Sequence, residues 1–126
     1  MKFSIRTECG DSHELVSLNE LGWAVDRLES ESGSFLVVEP EQPIDGIVFM
    51  QAVYIRKTKG LFRKTVIASH YQIEAQHQCP NGDLYHYHLD TADQNSVQAI
   101  FEDFFLSQRL PDLSAWHREL FYAAEN

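Results

Sequence analysis

Phe3 and Ile5 alternate with Lys2, Ser4 and Arg6, a period of two that predicts a short amphipathic strand in KFSIRTE. CGDSHE then reads as a loop. Ser17 stands three residues before Glu20 at the start of an apolar run, the signature of a capping box. Leu18, Leu21, Val25 and Leu28 recur at helical spacing, with Trp23 and Ala24 widening the stripe, so a helix is expected over 18–30. The run SESGS stops it. SFLVVEPE reads as a strand ended by Pro40 and Pro43. GIVFMQAVYIR is a longer strand, apolar enough to be central in its sheet. After KTKG, the stretch LFRKTVIASHYQIEAQH is a third long extended run, rich in β-branched and aromatic residues.

CPNGDLYHYHLD, residues 79–90, turns the chain. With Asn81-Gly82 as a two-residue loop, Ile73 and Ala75 share a face with His86 and His88. With Pro80-Asn81 at the centre of a type I turn and Gly82 as a left-handed bulge residue, the loop has three residues. Tyr71, Ile73, Ala75 and His77 then face the same way as Tyr85, Tyr87 and Leu89. His70, Gln72, Glu74 and Gln76 join His86, His88 and Asp90 on the other face. A one-residue slip mixes the two faces, so the hydrophobic pattern selects the three-residue loop.

Beyond TADQ the period lengthens to 3.6. Val97, Ile100, Phe101, Phe104 and Phe105 form one stripe, and a second helix is expected over 94–107. Pro111 interrupts, and Asp112 or Ser114 is placed to cap a last helix carrying Trp116, Leu120 and Phe121. The order β-α-β-β-β-β-α-α predicts one α+β domain over residues 1–126. Its sheet is an antiparallel meander of about five strands, with helices packed on one face and the other face wet.

The chain has 126 residues, enough for one core. No apolar run approaches a membrane span, the N-terminus has no apolar stretch of signal-peptide type, and the expected compartment is the cytoplasm. Cys9 and Cys79 are expected as free thiols. The net charge is −9, unevenly spread. Residues 1–50 hold ten acids and three bases, residues 51–70 five bases and no acid, residues 71–126 nine acids and two bases. An acidic body argues against nucleic acid as partner and suits a basic protein. The basic stretch, with Lys57, Lys59 and Arg63 around Leu61 and Phe62, reads either as a docking finger or as lysines that keep a hairpin from pairing edge to edge.

For chemistry, His86 and His88 opposite Glu74 offer the donor types zinc takes, but H-x-H is a two-residue signal, and cross-strand His–Glu pairs are ordinary on wet sheet faces. Cys79 and His77 make a thiol–imidazole pair with no third group to orient it. Phosphate-binding, nucleophile-elbow and zinc-protease signatures do not occur in the sequence. No catalytic residue, metal or cofactor is expected.

FMQA, YQIEAQ, the Y-x-Y strand, VQAIFEDFF and PDLSAWHREL follow one another in an order that resembles small bacterial immunity proteins of polymorphic toxin systems, the Imm1-like group. The resemblance spans roughly residues 15–120 and rests mainly on core and turn positions. It implies a non-enzymatic protein that binds a cognate toxin, often a basic nuclease, and blocks its active site or substrate groove. Charge alone selects the expected contacts: Glu39, Glu41 and Asp45 after the second strand, with Glu74, His86, His88 and Asp90 on the wet face. The alternatives are a small metal-dependent enzyme using His86, His88 and Glu74, or an adaptor with a basic hairpin finger. A monomer or a homodimer is expected, and no membrane partner.

Overall fold

The computed structural model describes residues 1–30, 33–63 and 65–124, and within them not the side chains of Val66 and Ile67. The chain folds as strand β1 (Phe3–Thr7), strand β2 (His13–Glu14), helix α1 (Leu18–Ser30), strands β3 (Phe35–Pro40), β4 (Ile47–Lys59), β5 (Thr65–Gln78) and β6 (Leu84–Thr91), helix α2 (Gln94–Ser107) and strand β7 (His117–Tyr122). The strands form one antiparallel sheet in the order β2-β1-β3-β4-β5-β6-β7. It is the α+β architecture the pattern predicts, with more strands than the five or so expected.

Both helices start where the sequence places them. Ser17 Oγ accepts the Glu20 N–H at 3.3 Å, one half of the capping box. The Glu20 carboxylate holds His13 instead, Oε1 to Nε2 at 2.8 Å. Asp93 caps α2 by accepting from Asn95 N–H. Of the expected α1 stripe, Leu21, Ala24, Val25 and Leu28 are buried, whereas Trp23 stands outside it with the Arg27 guanidinium over its ring. Glu31 and Ser32, in the run expected to stop the helix, lie outside the described residues.

The helices touch each other and cover the same side of the sheet. Phe3, Ile5, Leu36, Val38, Met50, Ala52, Tyr71, Ile73 and Ala75 meet Val97, Phe101, Phe104 and the α1 stripe in one core. Burying side chains of this size stabilises by about 1.5–3 kcal/mol each, which is what holds two short helices on the sheet. The Tyr71 hydroxyl donates to Glu29 Oε2 at 3.0 Å. Burial, reinforced by that carboxylate, pushes the phenol well above its ordinary pKa, so it stays a donor.

Glu8 ties three elements together. Its Oε1 accepts from Arg27 Nε at 3.1 Å and Ser34 Oγ at 3.1 Å, and its Oε2 from the Phe35 N–H at 3.2 Å. Burial pushes its pKa up, but the hydrogen bonds outweigh burial and leave it below the ordinary value.

Two turns set the lower end of the sheet. Asp45 and Gly46 have φ of 47° and 86°, and Ile44 and Ile47 exchange both backbone hydrogen bonds across them. This is the two-residue type I′ loop that Asp-Gly favours. At the other turn the three-residue loop holds. Gly82 has φ 93°, its N–H bonds to Cys79 O, and Glu74 pairs with His88 and Gln76 with His86.

The C-terminal segment corrects the expectation of a third helix. Asp112 caps a single 3-10 turn over Leu113–Ala115, Trp116 enters the core, and residues 117–122 extend as β7 along β6. Asp112 caps as its sequence predicts, but β6 offers a row of unpaired backbone groups that one more helical turn cannot satisfy.

Candidate functional site: the uncovered sheet face

The helices cover one side of the sheet, and the other side is open. Register defines its side chains. Phe35 and Val37 of β3 lie beside Val53 and Gln51 of β4; Phe49, Gln51, Val53 and Ile55 lie beside Gln76, Glu74, Gln72 and His70 of β5. Those continue to Asp90, His88 and His86 of β6, then to His117 and Glu119 of β7. The face therefore has two halves. Phe35, Val37, Phe49, Val53 and Ile55 form a half-buried apolar stripe on β3 and β4. Glu74, His86, His88, Asp90 and their neighbours form a polar half on β5–β7.

The expectation of a wet face is correct for β5 and β6 and wrong for β4. Its continuous apolar run predicts a strand central in the sheet, and β4 is the middle one of the seven. In the structure the helices bury Met50 and Ala52, and nothing in the chain covers Phe49, Val53 and Ile55 among the described residues. The signal was present in the sequence as that unbroken run.

Each polar residue named from sequence has a definite setting. Glu74 accepts a short hydrogen bond from Gln51 Nε2 across the β4–β5 pair. His86 stacks on Phe121, centroids 4.4 Å apart and planes 6° apart, and its Nε2 is buried without a hydrogen bond among the described residues. His88 lies 4.8 Å from the His117 ring. Asp90 faces His70, Oδ1 to Nε2 at 3.6 Å, and is half-exposed. His70 belongs to the cluster, on the face where the pattern places it, and His117 and Phe121 join it from β7, the segment expected as a helix. Among the described residues no three His, Cys, Asp or Glu side chains converge as a metal ion requires.

The loop acids lie at the lower end of the sheet. Glu39 and Glu41 join Glu14 and Lys2 around a cleft of about 480 Å³. Lys2 Nζ reaches Glu14 at 3.9 Å, and the Lys2 N–H donates to Glu41 Oε2 at 3.3 Å. One ammonium thus shares the cleft with three carboxylates, and pairs with that of Glu14. Asp45 is not in this cleft. It is exposed and serves the type I′ turn through its left-handed backbone.

At the opposite end β4 and β5 run past their neighbours. β3 pairs with β4 only as far as Val53, and β6 with β5 only from Tyr71, so Tyr54–Lys59 and Thr65–His70 form a projecting two-stranded arm. Lys57 and Lys59 are exposed on it, and Leu61 and Phe62 at its tip are 93% and 102% exposed. Lys64 lies outside the described residues.

Two further groupings bring reactive side chains together. Cys79 Sγ and His77 Nδ1 are 3.5 Å apart, with the His77 ring against Gly46. On the helix side, Ile5, Ala24, Trp23, Cys9 and His13 line a cavity of about 620 Å³. His13 there has an oxygen acceptor at each ring nitrogen, Glu20 Oε1 at 2.8 Å and Asp11 O at 3.3 Å. Only the imidazolium donates to both, and the Glu20 hydrogen bond raises its pKa above the ordinary value.

Compared with known proteins, the chain matches no protein-family model, no curated protein and no solved structure. Among the described residues no helix is long and apolar enough to cross a membrane.

Proposed function

We propose that this protein is a non-enzymatic binding protein, an immunity protein that neutralises a cognate bacterial toxin in the cytoplasm by direct contact through its open sheet face. One observation carries the reading: β4 is apolar on both sides but covered on one, which leaves Phe49, Val53 and Ile55 as the floor of a docking surface. Glu39, Glu41, Glu74 and Asp90 surround that floor with negative charge, which speeds the approach of a basic partner and holds it in register. The motif order that resembles the Imm1-like group supports the toxin as that partner.

The test is co-expression with the adjacent reading frame in a host that the neighbouring product kills. The wild-type chain restores growth, and Val53→Arg, with its melting temperature unchanged, does not. Rescue by Val53→Arg equal to wild type removes the face from the mechanism, and no rescue by wild type removes the toxin.

A second reading has its own observation. Leu61 and Phe62 are fully exposed between Lys57, Lys59 and Arg63, the make-up of a finger that anchors in an acidic partner. Reversing the charge at Lys57, Lys59 and Arg63 abolishes capture of that partner if the finger is the contact. Unchanged capture rejects it.

A further inference from the structure

The arm made by Tyr54–Lys59 and Thr65–His70 is pinned at its base and bare at its tip. At the base the Tyr54 hydroxyl donates to Ser69 Oγ at 2.6 Å, and the Tyr54 and Tyr71 rings meet edge to face with centroids 4.7 Å apart. The Arg56 guanidinium turns back to donate to the Glu29 carbonyl. A register shift between Lys57 and Thr58 then adds twist to the pair. From Tyr54 to Lys59, at about 3.3 Å per residue, the strands reach about 20 Å beyond the rest of the sheet.

Lysines on such an arm are explained as guards against edge-to-edge pairing. Leu61 and Phe62 are not. At 93% and 102% exposed they have almost no contact with the other described residues, and nothing in the fold requires two large apolar side chains there. The charge around them has one sign. Residues 51–70 contain no acid, and Lys57, Lys59 and Arg63 are exposed beside the tip. Glu29 and Asp90 stand at the base, Asp90 facing His70 at 3.6 Å, and Glu39 and Glu41 lie at the other end of the sheet. Charges are screened over about 8 Å at physiological salt, so a chain of net charge −9 still presents a cationic tip.

We propose that this arm docks on the surface of an anionic lipid bilayer, with Leu61 and Phe62 in the interface and Lys57, Lys59 and Arg63 against the phosphates. Lipid fits the tip better than an acidic protein does. Two side chains bury roughly 400 Å², well under the 800 Å² or so that each partner buries in a stable protein interface. A bilayer needs no matching pocket, only apolar groups that reach it and cations that follow. Lysine and arginine stems lie along the apolar layer while their charges stay at the phosphates. Each base near such a surface strengthens binding by about fivefold, so three give about a hundredfold. Burying the two apolar side chains adds at least about tenfold for each. No membrane partner is expected from the sequence, which lacks a spanning run, but a tip that rests in the interface needs none. The inference rests on reading the tip as a finger and is independent of the toxin and the open sheet face.

Sedimentation of the full chain with extruded vesicles tests it. At physiological salt the chain pellets with mixed phosphatidylglycerol–phosphatidylcholine vesicles, stays in solution with phosphatidylcholine alone, and is released by molar salt. Lys57→Glu, Lys59→Glu and Arg63→Glu together abolish pelleting. Leu61→Ser with Phe62→Ser weakens it at least about tenfold while melting as wild type does. Glycerol phosphate in solution, which supplies the charge without an apolar phase, does not release the chain. In Phe62→Trp the added indole emission shifts to the blue on vesicles and is quenched by brominated acyl chains. Val16→Trp, exposed beside β2, is the control and stays unchanged. A chain that stays in solution with anionic vesicles overturns the proposal, as does pelleting that the double serine variant leaves intact. If an acidic protein is captured through Lys57, Lys59 and Arg63 while vesicles are not, the finger stands and the bilayer falls. If neither depends on them, both fall.

Discussion

Replacing Gly46 by alanine tests whether the lower end of the sheet is built as described. The backbone there has φ 86°, where an L-residue costs about 1–2 kcal/mol. A Cβ at this position also meets His77 Nε2 at 2.6 Å and Gln78 O at 2.9 Å. The second of these atoms is backbone and cannot rotate away. Nor can the turn swing outward, since the Gln78 N–H donates to Gly46 O at 2.7 Å and that bond contributes about 1 kcal/mol. Overpacking of this kind costs about 1–3 kcal/mol, which brings the expected loss to about 3 kcal/mol. Unfolding entropy of about 2.1 cal/mol/K per residue over 126 residues converts that to a fall of roughly 11 °C in the melting midpoint. Two other glycines separate the contributions. Gly33 has φ 81° and open space around it, so Gly33→Ala loses about 1–2 kcal/mol for the backbone alone. Gly10 has open space and no positive φ, so Gly10→Ala is neutral or gains up to about 1 kcal/mol. Urea and thermal unfolding followed by circular dichroism measure all three. If Gly46→Ala loses no more than Gly33→Ala, the overlap with His77 and Gln78 is not there and the reasoning fails.

Three further outcomes follow from the same structure. Glu20→Gln returns the His13 titration, read by proton NMR, from its raised position toward the ordinary 6.5. The His13–Glu20 pair stabilises fully below that value and its contribution disappears as pH rises through the raised one, so the variant's deficit shrinks in alkali; a deficit that grows there contradicts the pairing. Glu8→Ala strips Arg27, Ser34 and the Phe35 N–H of an acceptor and costs about 2–4 kcal/mol at neutral pH. Because the Glu8 pKa is lowered, wild type loses this margin only as pH falls below about 4.5, and a deficit unchanged into strong acid argues against the knot. Leu61→Ser with Phe62→Ser leaves the melting temperature within about 1 °C, since neither side chain is buried, and a clear fall means the tip packs on something.

Local chemistry was legible where a local rule decides the outcome. Ser17 and Glu20 mark the start of α1, and Pro80-Asn81-Gly82 fixes the register that puts Glu74 beside His88. What was lost depends on partners far along the chain. Trp116, Leu120 and Phe121 fit a helix stripe, and Asp112 fits a cap, yet the free edge of β6 decides that the segment is extended. His117 and Phe121 went missing from the candidate site with it. His13–Glu14 pairs only because Ser4 and Ile5 lie alongside. Asp45 was weighed for its charge, whereas its Asp-Gly sequence was the stronger signal and names the turn. The apolar run of β4 was visible, but no window of sequence tells which of its two sides a helix will reach.

The separation of acids and bases has a consequence of its own. β4, at 13 residues and about 3.3 Å per residue, is about 40 Å long. Glu14, Glu39, Glu41 and Asp45 gather near its start, Lys57, Lys59 and Arg63 at its far end, so the molecule is an electric dipole aligned with its strands. A cationic surface exerts a torque that turns the acidic end forward before any atoms touch, within a screening distance of about 8 Å at physiological salt. Two such dipoles side by side lie lowest in energy when they point in opposite directions. Copies that meet with their strands antiparallel therefore cancel the moment of each against the other.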